Sequence, residues 1–341
     1  MKIRLILFSL LFLQAALQAQ ENHFSQFYNA PQYLNPAFSG DVAYMRTGAI
    51  SRITNPLPGI SIINSLASYD IKLFDKHTGL GIFIFDHTEK FSHTKIQANY
   101  SYTIQLNKKN WAKGGLGISM NQRRSRATAL NYPDQFDNNG LTGNPTMEPM
   151  LSDNSWFPAL TAGFLLYNEL LWFGFSGDYL NLPKENFAGE KYRYPLKVSA
   201  TAGFLVPIDK SKTTKRRFSR FGGLEPYSRV GPVVGYVQQD RYAELSGGCS
   251  YSLQPFYGGI HYRYQHNFMI QKTKHAYKAL VFIVGFRREE FSLAYSYDLS
   301  VNNNTIHRKG AHEMSATIYF SHHKNDYKRH NPVPLVNQML Y

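Results

Sequence analysis

Residues 95–106 read Lys-Ile-Gln-Ala-Asn-Tyr-Ser-Tyr-Thr-Ile-Gln-Leu, and apolar and polar side chains alternate throughout this stretch. Residues 196–206 and 291–299 alternate in the same way. A period of two places successive side chains on opposite faces of a β-strand. Strands of soluble domains usually have about five or six residues, whereas about ten residues cross a bilayer at a tilt. The pattern therefore predicts membrane-spanning strands, with lipid against the apolar face and a wet lumen against the polar face, which here carries Lys95, Gln97, Asn99, Ser101, Thr103 and Gln105.

Residues 1–19 have the features of a secretory signal peptide. Lys2 and Arg4 precede an apolar run at 5–17, and small residues follow as far as Ala19, near which cleavage is predicted. The run is too short for a transmembrane helix, and no later stretch has the length and apolar content that such a helix needs. An exported chain with long alternating strands is therefore expected to be an integral protein of the outer membrane, surrounded by outer-membrane lipids.

The alternation predicts an all-β fold, a transmembrane outer-membrane β-barrel of about fourteen antiparallel strands with an N-terminal plug-like segment. An even number of strands returns both ends of a closed barrel to the periplasmic side. Short turns are predicted there, and longer loops on the cell surface at 123–156, 180–194, 265–275 and 300–310. The strands are predicted at 42–53, 60–73, 79–88, 93–106, 113–122, 157–167, 169–179, 195–206, 225–239, 241–253, 255–264, 276–286, 289–299 and 311–320.

Four parts are predicted along the chain: a signal peptide at 1–19, an N-terminal periplasmic or plug segment at 20–41, the barrel at 42–320 and a basic tail at 321–341. The second part is not strand-like, because Pro31 and Pro36 remove backbone donors. Its many aromatic residues favour burial against the periplasmic mouth or inside the lumen. A disordered lead-in to the first strand is the alternative.

The candidate functional residues of this segment act through packing and turn formation. The Asn35 side chain can bond the backbone two residues further on. Gly40 allows the chain to bend sharply into the first strand. The full set is Phe24, Gln26, Leu34, Asn35, Pro36 and Gly40.

The formal net charge is +14, and the excess is concentrated in one connection and in the tail. An exported chain is not expected to bind nucleic acid, so the charge indicates either a docking surface for a protein or a basic loop held near anionic lipid. The connection at 207–224 is long although it is assigned to the periplasm, and an error of one strand would move it to the surface. Its basic residues are Lys210, Lys212, Lys215, Arg216, Arg217 and Arg220.

The sequence contains no recognisable catalytic motif. Residues 174–177 lack the spacing of a nucleophile elbow. No histidine pair has the spacing of a metal site. Asp298 and Glu313 are predicted to face the lumen from neighbouring strands, where carboxylates usually tune the field of a pore. The chain is therefore predicted to be no enzyme, with no catalytic residue, cofactor or metal.

The stretch from Phe24 to Gly40 resembles the N-terminal signature of the PorP/SprF family of Bacteroidetes membrane proteins, whose members begin with a phrase close to QFSQY…NPLYLNPAYAG. Residues 24–27 and 33–40 match that phrase almost letter for letter. Residues 77–81, 171–182 and 310–315 also fit in order, so the resemblance spans about 20–320. The tail after Phe320 departs from the family pattern.

This resemblance implies a non-enzymatic outer-membrane component of the type IX secretion system or of its gliding-associated branch. Such a component docks or anchors exported proteins or secretion machinery. The implied partners are periplasmic or outer-membrane proteins of the secretion machinery and an exported surface protein or adhesin. The alternative function is an outer-membrane channel for hydrophobic compounds or small solutes.

Overall fold

The computed structural model describes residues 24–42, 44–54, 61–73, 77–89, 91–125, 136–137, 140–142, 154–168, 170–187, 190–208, 228–253, 255–267, 277–288, 290–301 and 310–320. The predicted signal peptide, nearly all of the basic connection and the basic tail lie outside the described residues. These three assignments stay predictions.

Long strands dominate the described residues. They are β1 (Met45–Thr54), β2 (Ile62–Lys72), β3 (Thr78–Thr88), β4 (Phe91–Gln105), β5 (Trp111–Ser125), β6 (Phe136–Asp137), β7 (Gly140–Leu141), β8 (Asn154–Tyr167), β9 (Leu171–Asp178), β10 (Lys184–Phe187), β11 (Glu190–Arg193), β12 (Lys197–Phe204), β13 (Val206–Pro207), β14 (Ser228–Gln239), β15 (Tyr242–Leu253), β16 (Phe256–Asn267), β17 (Tyr277–Arg287), β18 (Phe291–Ser300) and β19 (Ala311–Phe320).

Fourteen of these strands form one closed antiparallel barrel. The pairs β6–β7 and β10–β11 are separate two-stranded sheets, and β13 continues β12 along β14. The first and last strands meet at a seam, where β1 pairs with β19 from Met45 opposite Phe320 to Thr54 opposite Ala311. The predicted barrel and its strand number are confirmed.

In this barrel apolar side chains are exposed and polar side chains are buried, which is the reverse of the pattern in a soluble protein. On β4, Ile104 is 55% exposed, whereas the inward-facing Gln97 is 2% exposed. The same alternation recurs along the other barrel strands. An apolar outer face is stable because lipid surrounds it, and a polar inner face is stable only when its hydrogen bonds are satisfied. Among the described residues, no helix has the length and apolar character required to cross a membrane.

The two ends of the barrel differ in their connections. At one end, here called the turn end, β4–β5, β8–β9, β15–β16 and β17–β18 are joined by a few residues each. The opposite end, here called the loop end, carries the long connection between β5 and β8. Short periplasmic turns and long surface loops are the habit of these barrels, so we expect the turn end to face the periplasm. The basic connection joins β13 to β14 and therefore belongs to the turn end.

Candidate functional site: the inner wall and the N-terminal segment

The residues before β1 fold into three single turns, here called the N-terminal segment (Phe24–Val42). A 3-10 turn at Phe27–Asn29, one α-helical turn at Pro31–Leu34 and a second 3-10 turn at Pro36–Phe38 follow one another. Both prolines begin a turn, where the missing N–H needs no partner. Nearly all side chains of the segment are buried, although it contributes no strand to the barrel.

A group of four buried charged residues faces the start of this segment and is here called the charged latch: Arg52, Arg263, Asp298 and Glu313. Arg52 Nη2 lies 2.6 Å from Asp298 Oδ2, and Arg263 Nη1 lies 3.0 Å from the same oxygen. Arg52 Nη1 also lies 3.3 Å from Glu313 Oε2. Asp298 and Glu313 are therefore held by arginines on β1 and β16, and they do not form an isolated pair of carboxyl groups.

Ser25 joins the N-terminal segment to the charged latch. Its hydroxyl oxygen accepts hydrogen bonds from Arg52 Nη1 at 2.8 Å and Arg263 Nη2 at 2.9 Å, and its hydroxyl donates to Asp298 Oδ1 at 2.8 Å. The Ser25 backbone N–H donates to Glu313 Oε2 at 2.8 Å, and the Gln26 N–H donates to Glu313 Oε1 at 2.6 Å. Hydrogen bonds to charged groups are about twice as strong as neutral ones, so this contact fixes the start of the segment.

Further polar contacts continue along β18 and β19. Gln26 Nε2 donates to Ser296 Oγ at 3.1 Å and to the Glu313 carbonyl oxygen at 3.2 Å. Asn29 Nδ2 donates to Ser315 Oγ at 2.7 Å. Ser296 and Ser315 are polar residues of the inner face, and the N-terminal segment supplies their hydrogen-bond partners.

A cross-strand row of small residues lines the opposite part of the wall and is here called the small-residue row: Gly79, Ser101, Gly115, Gly163 and Ser176. Each residue is the direct pairing partner of the next, across β3, β4, β5, β8 and β9. Residues 34–39 of the segment run along this row, because each member leaves room for backbone atoms.

Close approach of the N-terminal segment to the wall explains the glycines of the row. A Cβ added at Gly115 would lie within 3 Å of the Pro36 carbonyl carbon and the Ala37 nitrogen. A Cβ at Gly163 would come equally close to the Asn35 side chain. By contrast, a Cβ at the outward-facing Gly114 would meet nothing within 4 Å.

Asn35 has two structural roles beside the small-residue row. Its Oδ1 accepts the Ala37 N–H at 2.9 Å, which is the local turn bond expected from the sequence. Its Nδ2 donates to the carbonyl oxygens of Phe164 at 3.1 Å and Phe175 at 3.2 Å, on β8 and β9. On β9, Ser176 Oγ donates to the Leu34 carbonyl oxygen at 2.6 Å. Ser176, which the sequence analysis excluded as a nucleophile, therefore holds the segment.

The last part of the segment bends at Gly40, close to the turn end. Gly40 has φ +64°, a conformation that favours glycine, and its N–H donates to Asp70 Oδ2 at 3.0 Å. Arg46 Nε donates to the other oxygen of Asp70 at 2.8 Å. The Ser39 carbonyl oxygen accepts from Ser101 Oγ at 2.7 Å and from Lys113 Nζ at 2.9 Å. The sharp entry into β1 is thus fixed by a buried ion pair and by backbone contacts.

The N-terminal segment runs from the loop end towards the turn end. Ser25 contacts Arg52 and Glu313, which lie near the loop ends of β1 and β19. Gly40 contacts Asp70, which lies near the turn end of β2. The direction follows from these contacts and places the start of the described chain in the loop-end half of the barrel.

Aromatic rings fill the space between the polar contacts. Phe24 packs edge-to-face on Phe85 with ring centroids 6.1 Å apart, and Tyr33 lies 5.0 Å from the same ring. Phe38 packs edge-to-face on Trp172 at 5.8 Å. Because such pairs add about 0.5–1.5 kcal/mol each beyond the area they bury, the aromatic residues contribute strongly to holding the segment.

Asp41 lies at the junction between the segment and β1, outside the membrane-spanning strands. Burial raises its pKa to about 7, although Lys113, Lys72 and Arg46 act in the opposite direction. Asp70 adds to the increase. The packed segment therefore holds a proton that a solvated aspartate, with a pKa of about 3.9, would release.

The stability of the protein depends on pH because the pKa of Asp41 differs between the packed and the solvated state. Because the packed state has the higher pKa, the stabilisation by the protonated Asp41 is fully present below about pH 4 and is lost as the pH rises to about 7. We expect the unfolding midpoint in detergent to fall between about pH 5 and about pH 8, and the Asp41→Asn variant to show a smaller fall. An equal fall in both proteins would contradict the assignment to Asp41.

The loop end holds two more buried ion pairs. Arg123 Nη1 lies 2.9 Å from Glu185 Oε2 and ties the β10–β11 hairpin to β5. Lys95 on β4 pairs with Asp178 on β9, and Thr161 Oγ1 donates to Asp178 Oδ1 at 2.5 Å. Burial raises the pKa of Glu185, and Arg123 opposes that shift. These pairs tie the hairpin to β5 and β9 to β4.

The structure places the candidate residues of the N-terminal segment along the inner wall, from Gln26 near the loop end, through Asn35 beside β8 and β9, to Gly40 near the turn end. The basic residues proposed for partner docking (Lys210, Lys212, Lys215, Arg216, Arg217 and Arg220) lie outside the described residues. Sequence reasoning missed the arginines of the charged latch and the small-residue row. In the described ranges, no three His, Cys, Asp or Glu side chains are grouped as metal ligands would be.

Three solved structures are similar to this chain. A Pseudomonas aeruginosa FadL homologue is 11% identical, with 86% of this chain and 94% of that chain covered and a TM-score of 0.47. The CymD monoaromatic hydrocarbon channel is 14% identical, with coverages of 90% and 96% and a TM-score of 0.46. BamA from Haemophilus ducreyi, lacking POTRA domains 1–3, is 11% identical, with coverages of 80% and 70% and a TM-score of 0.41. No curated protein matches the chain.

A family model described as type IX secretion system membrane protein PorP/SprF matches residues 16–318. The matched range contains the whole N-terminal segment and every barrel strand except the last two residues of β19. The family and the closed barrel together give an outer-membrane location. The chain belongs to the PorP/SprF family of type IX secretion system membrane proteins.

Proposed function

We propose that the protein is a non-enzymatic outer-membrane component of the type IX secretion system or of its gliding-associated branch, and that it docks or anchors exported proteins or secretion machinery. Family membership supports the secretion setting. One observation favours a docking role over the conduction of solutes: polar side chains of the inner wall bind the N-terminal segment. Gln26, Asn29 and Asn35 all donate hydrogen bonds to that wall.

The N-terminal segment is proposed to act as a plug. It contacts strands on both sides of the barrel, from Glu313 on β19 to Ser176 on β9. A lumen occupied in this way favours a protein that works through its end surfaces over one that conducts solutes. Asp298 and Glu313 are ion-paired with Arg52, which leaves neither carboxylate free to act as a general base.

The docking surface is proposed to lie at the turn end. The connection between β13 and β14 carries the six basic residues of 207–224, and the two strand ends that it joins lie at the turn end. A surface of one charge attracts a partner of the opposite charge and speeds their association. Acidic surfaces of periplasmic secretion proteins, or of an exported adhesin in transit, are therefore the proposed partners.

Gene deletion tests the proposal. The secreted proteins and the cell-surface proteins of the deletion strain are quantified against the complemented strain. Loss of many exported proteins would indicate a general role in the machinery, and loss of one large surface protein would indicate a dedicated partner. No change in either fraction would contradict the proposal and favour the solute channel.

Reversing the charge of the basic connection is expected to weaken docking. In the Lys215→Glu/Arg216→Glu variant, attraction to an acidic partner becomes repulsion, so partner recovery after crosslinking should fall about tenfold and secretion should fall with it. Lys108→Glu/Lys109→Glu is the matched control, because these lysines are exposed in the β4–β5 turn at the same end. Equal recovery from both variants would remove the basic connection from the docking surface.

A further inference from the structure

A small pocket lies on the outside of the barrel at the loop end. It has a volume of about 460 Å³ and is lined by Pro158, Asn181, Leu182, Pro183, Lys184 and Arg193. The part of the pocket nearer the membrane is formed by Pro158 on β8 and by Leu182, which is 43% exposed. The part nearer the loops is formed by Lys184 and Arg193, two basic side chains of the β10–β11 hairpin.

Lys184 and Arg193 are direct cross-strand partners in this hairpin. Like charges directly opposite each other destabilise a strand pair. Among the residues that the structure describes, neither side chain has an acidic partner. The adjacent Glu185 does not compensate them, because it points to the other face, where it pairs with Arg123.

The floor of the pocket is fixed by Asn181. Its Oδ1 accepts the Leu160 N–H at 3.1 Å, and its Nδ2 donates to the Pro158 carbonyl oxygen at 3.0 Å. The next residue, Leu182, has φ +44°, which a residue other than glycine seldom adopts. This turn carries the chain from the end of β9 to Lys184 and is tied to β8 by the Asn181 bonds, so the two basic groups are held above an apolar ledge formed by Pro158 and Leu182.

The ledge continues the lipid-facing surface of β8. Trp156 and Leu160 are 57% and 48% exposed on the same face as Pro158. Two basic groups directly above an apolar band lie where the headgroups of the outer leaflet meet the hydrocarbon. Arginine binds phosphate oxygens in a bidentate manner, and lysine adds a second charge.

We propose that this pocket binds the phosphate of an anionic lipid of the outer leaflet, with the acyl chains lying along the ledge. The bound phosphate relieves the repulsion between Lys184 and Arg193. The lipid then braces the β10–β11 hairpin from outside, opposite the Arg123–Glu185 pair that holds it from inside. This site is independent of the proposed docking role.

Titration of the detergent-solubilised full chain with diphosphoryl lipid A, followed by native mass spectrometry, tests the proposal. We expect retention of the lipid, and about a tenfold or greater loss of affinity in the Lys184→Gln/Arg193→Gln variant. The matched control, Lys108→Gln/Lys109→Gln, removes two exposed lysines at the opposite end and should bind as the unaltered protein does. Heat-modifiable migration of all three proteins on gels checks that the barrel is folded.

Two further arms identify the ligand. Dephosphorylated lipid A should bind the unaltered protein about tenfold more weakly, and inorganic phosphate at the same concentration should not displace the phosphorylated lipid. Equal affinity of the double variant and the control would overturn the proposal. Displacement by inorganic phosphate alone would overturn the assignment to a lipid, because it would show a simple anion site.

Discussion

Replacing Gly115 with valine is expected to displace the N-terminal segment from the inner wall. The new Cβ would come within 3 Å of the Pro36 carbonyl carbon and the Ala37 nitrogen. Backbone atoms cannot rotate away as a side chain can, so the segment has to move as a unit. Overpacking of this kind costs about 1–3 kcal/mol, which lowers the packed population relative to the displaced one by about 5-fold to 150-fold.

Thiol labelling measures this displacement. Ser39 is fully buried and similar in size to cysteine, so Ser39→Cys in a Cys249→Ala background reports on the segment. We expect a water-soluble maleimide to label it about tenfold faster or more when Gly115→Val is added. The Gly114→Val variant is the matched control, because its Cβ faces open space on the lipid side.

Conductance gives a second readout of the same variant. If the segment is the plug, Gly115→Val should raise single-channel conductance in planar bilayers, and Gly114→Val should leave it unchanged. Slow labelling and unchanged conductance in Gly115→Val would together contradict the packing of the segment on the small-residue row. Fast labelling with unchanged conductance would contradict only its role as a plug.

Replacing Arg52 with methionine is expected to produce the largest loss of stability. Arg52 contacts Asp298, Glu313 and Ser25, and its removal leaves buried carboxylates with too little positive charge. Breaking a buried ion pair on one side costs about 3–5 kcal/mol, far more than the pair gains over an apolar replacement. The denaturant midpoint in detergent should therefore fall strongly.

Matched variants separate the buried charge from the general effect of losing an arginine. Arg124 is exposed on β5, and we expect Arg124→Met to change the unfolding free energy by less than about 0.5 kcal/mol. Neutralising the partners as well, in Arg52→Met/Asp298→Asn/Glu313→Gln, should restore part of the loss, because the buried charge that remains, Arg263, still pairs with Glu244 Oε1 at 3.4 Å. A loss in Arg52→Met no larger than in Arg124→Met would contradict the charged latch.

The strands were predictable because each alternates strongly between apolar and polar residues. On β4, Ile96 and Gln97 differ so clearly in character that the face of every residue follows from the sequence. The turns at Asn35 and Gly40 were predictable because each depends on residues that are adjacent in sequence. The Asn35 side chain reaches only two residues along the chain, and the Gly40 bend depends on its own φ.

The charged latch was not predictable, because it depends on how distant strands align. Arg52 and Asp298 are 246 residues apart in sequence. A shift of one residue in pairing would turn either side chain to the opposite face. Gly79, Gly115 and Gly163 were visible as single glycines, but only the register shows that they lie in one row beneath the N-terminal segment. The sequence predicted polar side chains facing a wet lumen, and it could not show which of them bond the N-terminal segment, as Asn99 and Ser176 do.

The seam between β1 and β19 has a consequence for how the barrel assembles. Arg52 and Glu313 are direct partners across this seam, and Glu313 also binds the N–H groups of Ser25 and Gln26. The earliest described part of the chain is thus joined to its last strand. If the strands closed one residue out of register, Glu313 would face lipid and lose Arg52 and both N–H groups. Closure in the observed register neutralises this carboxylate whereas a slip of one residue does not, so we expect contact with the N-terminal segment to favour correct pairing of β19 with β1.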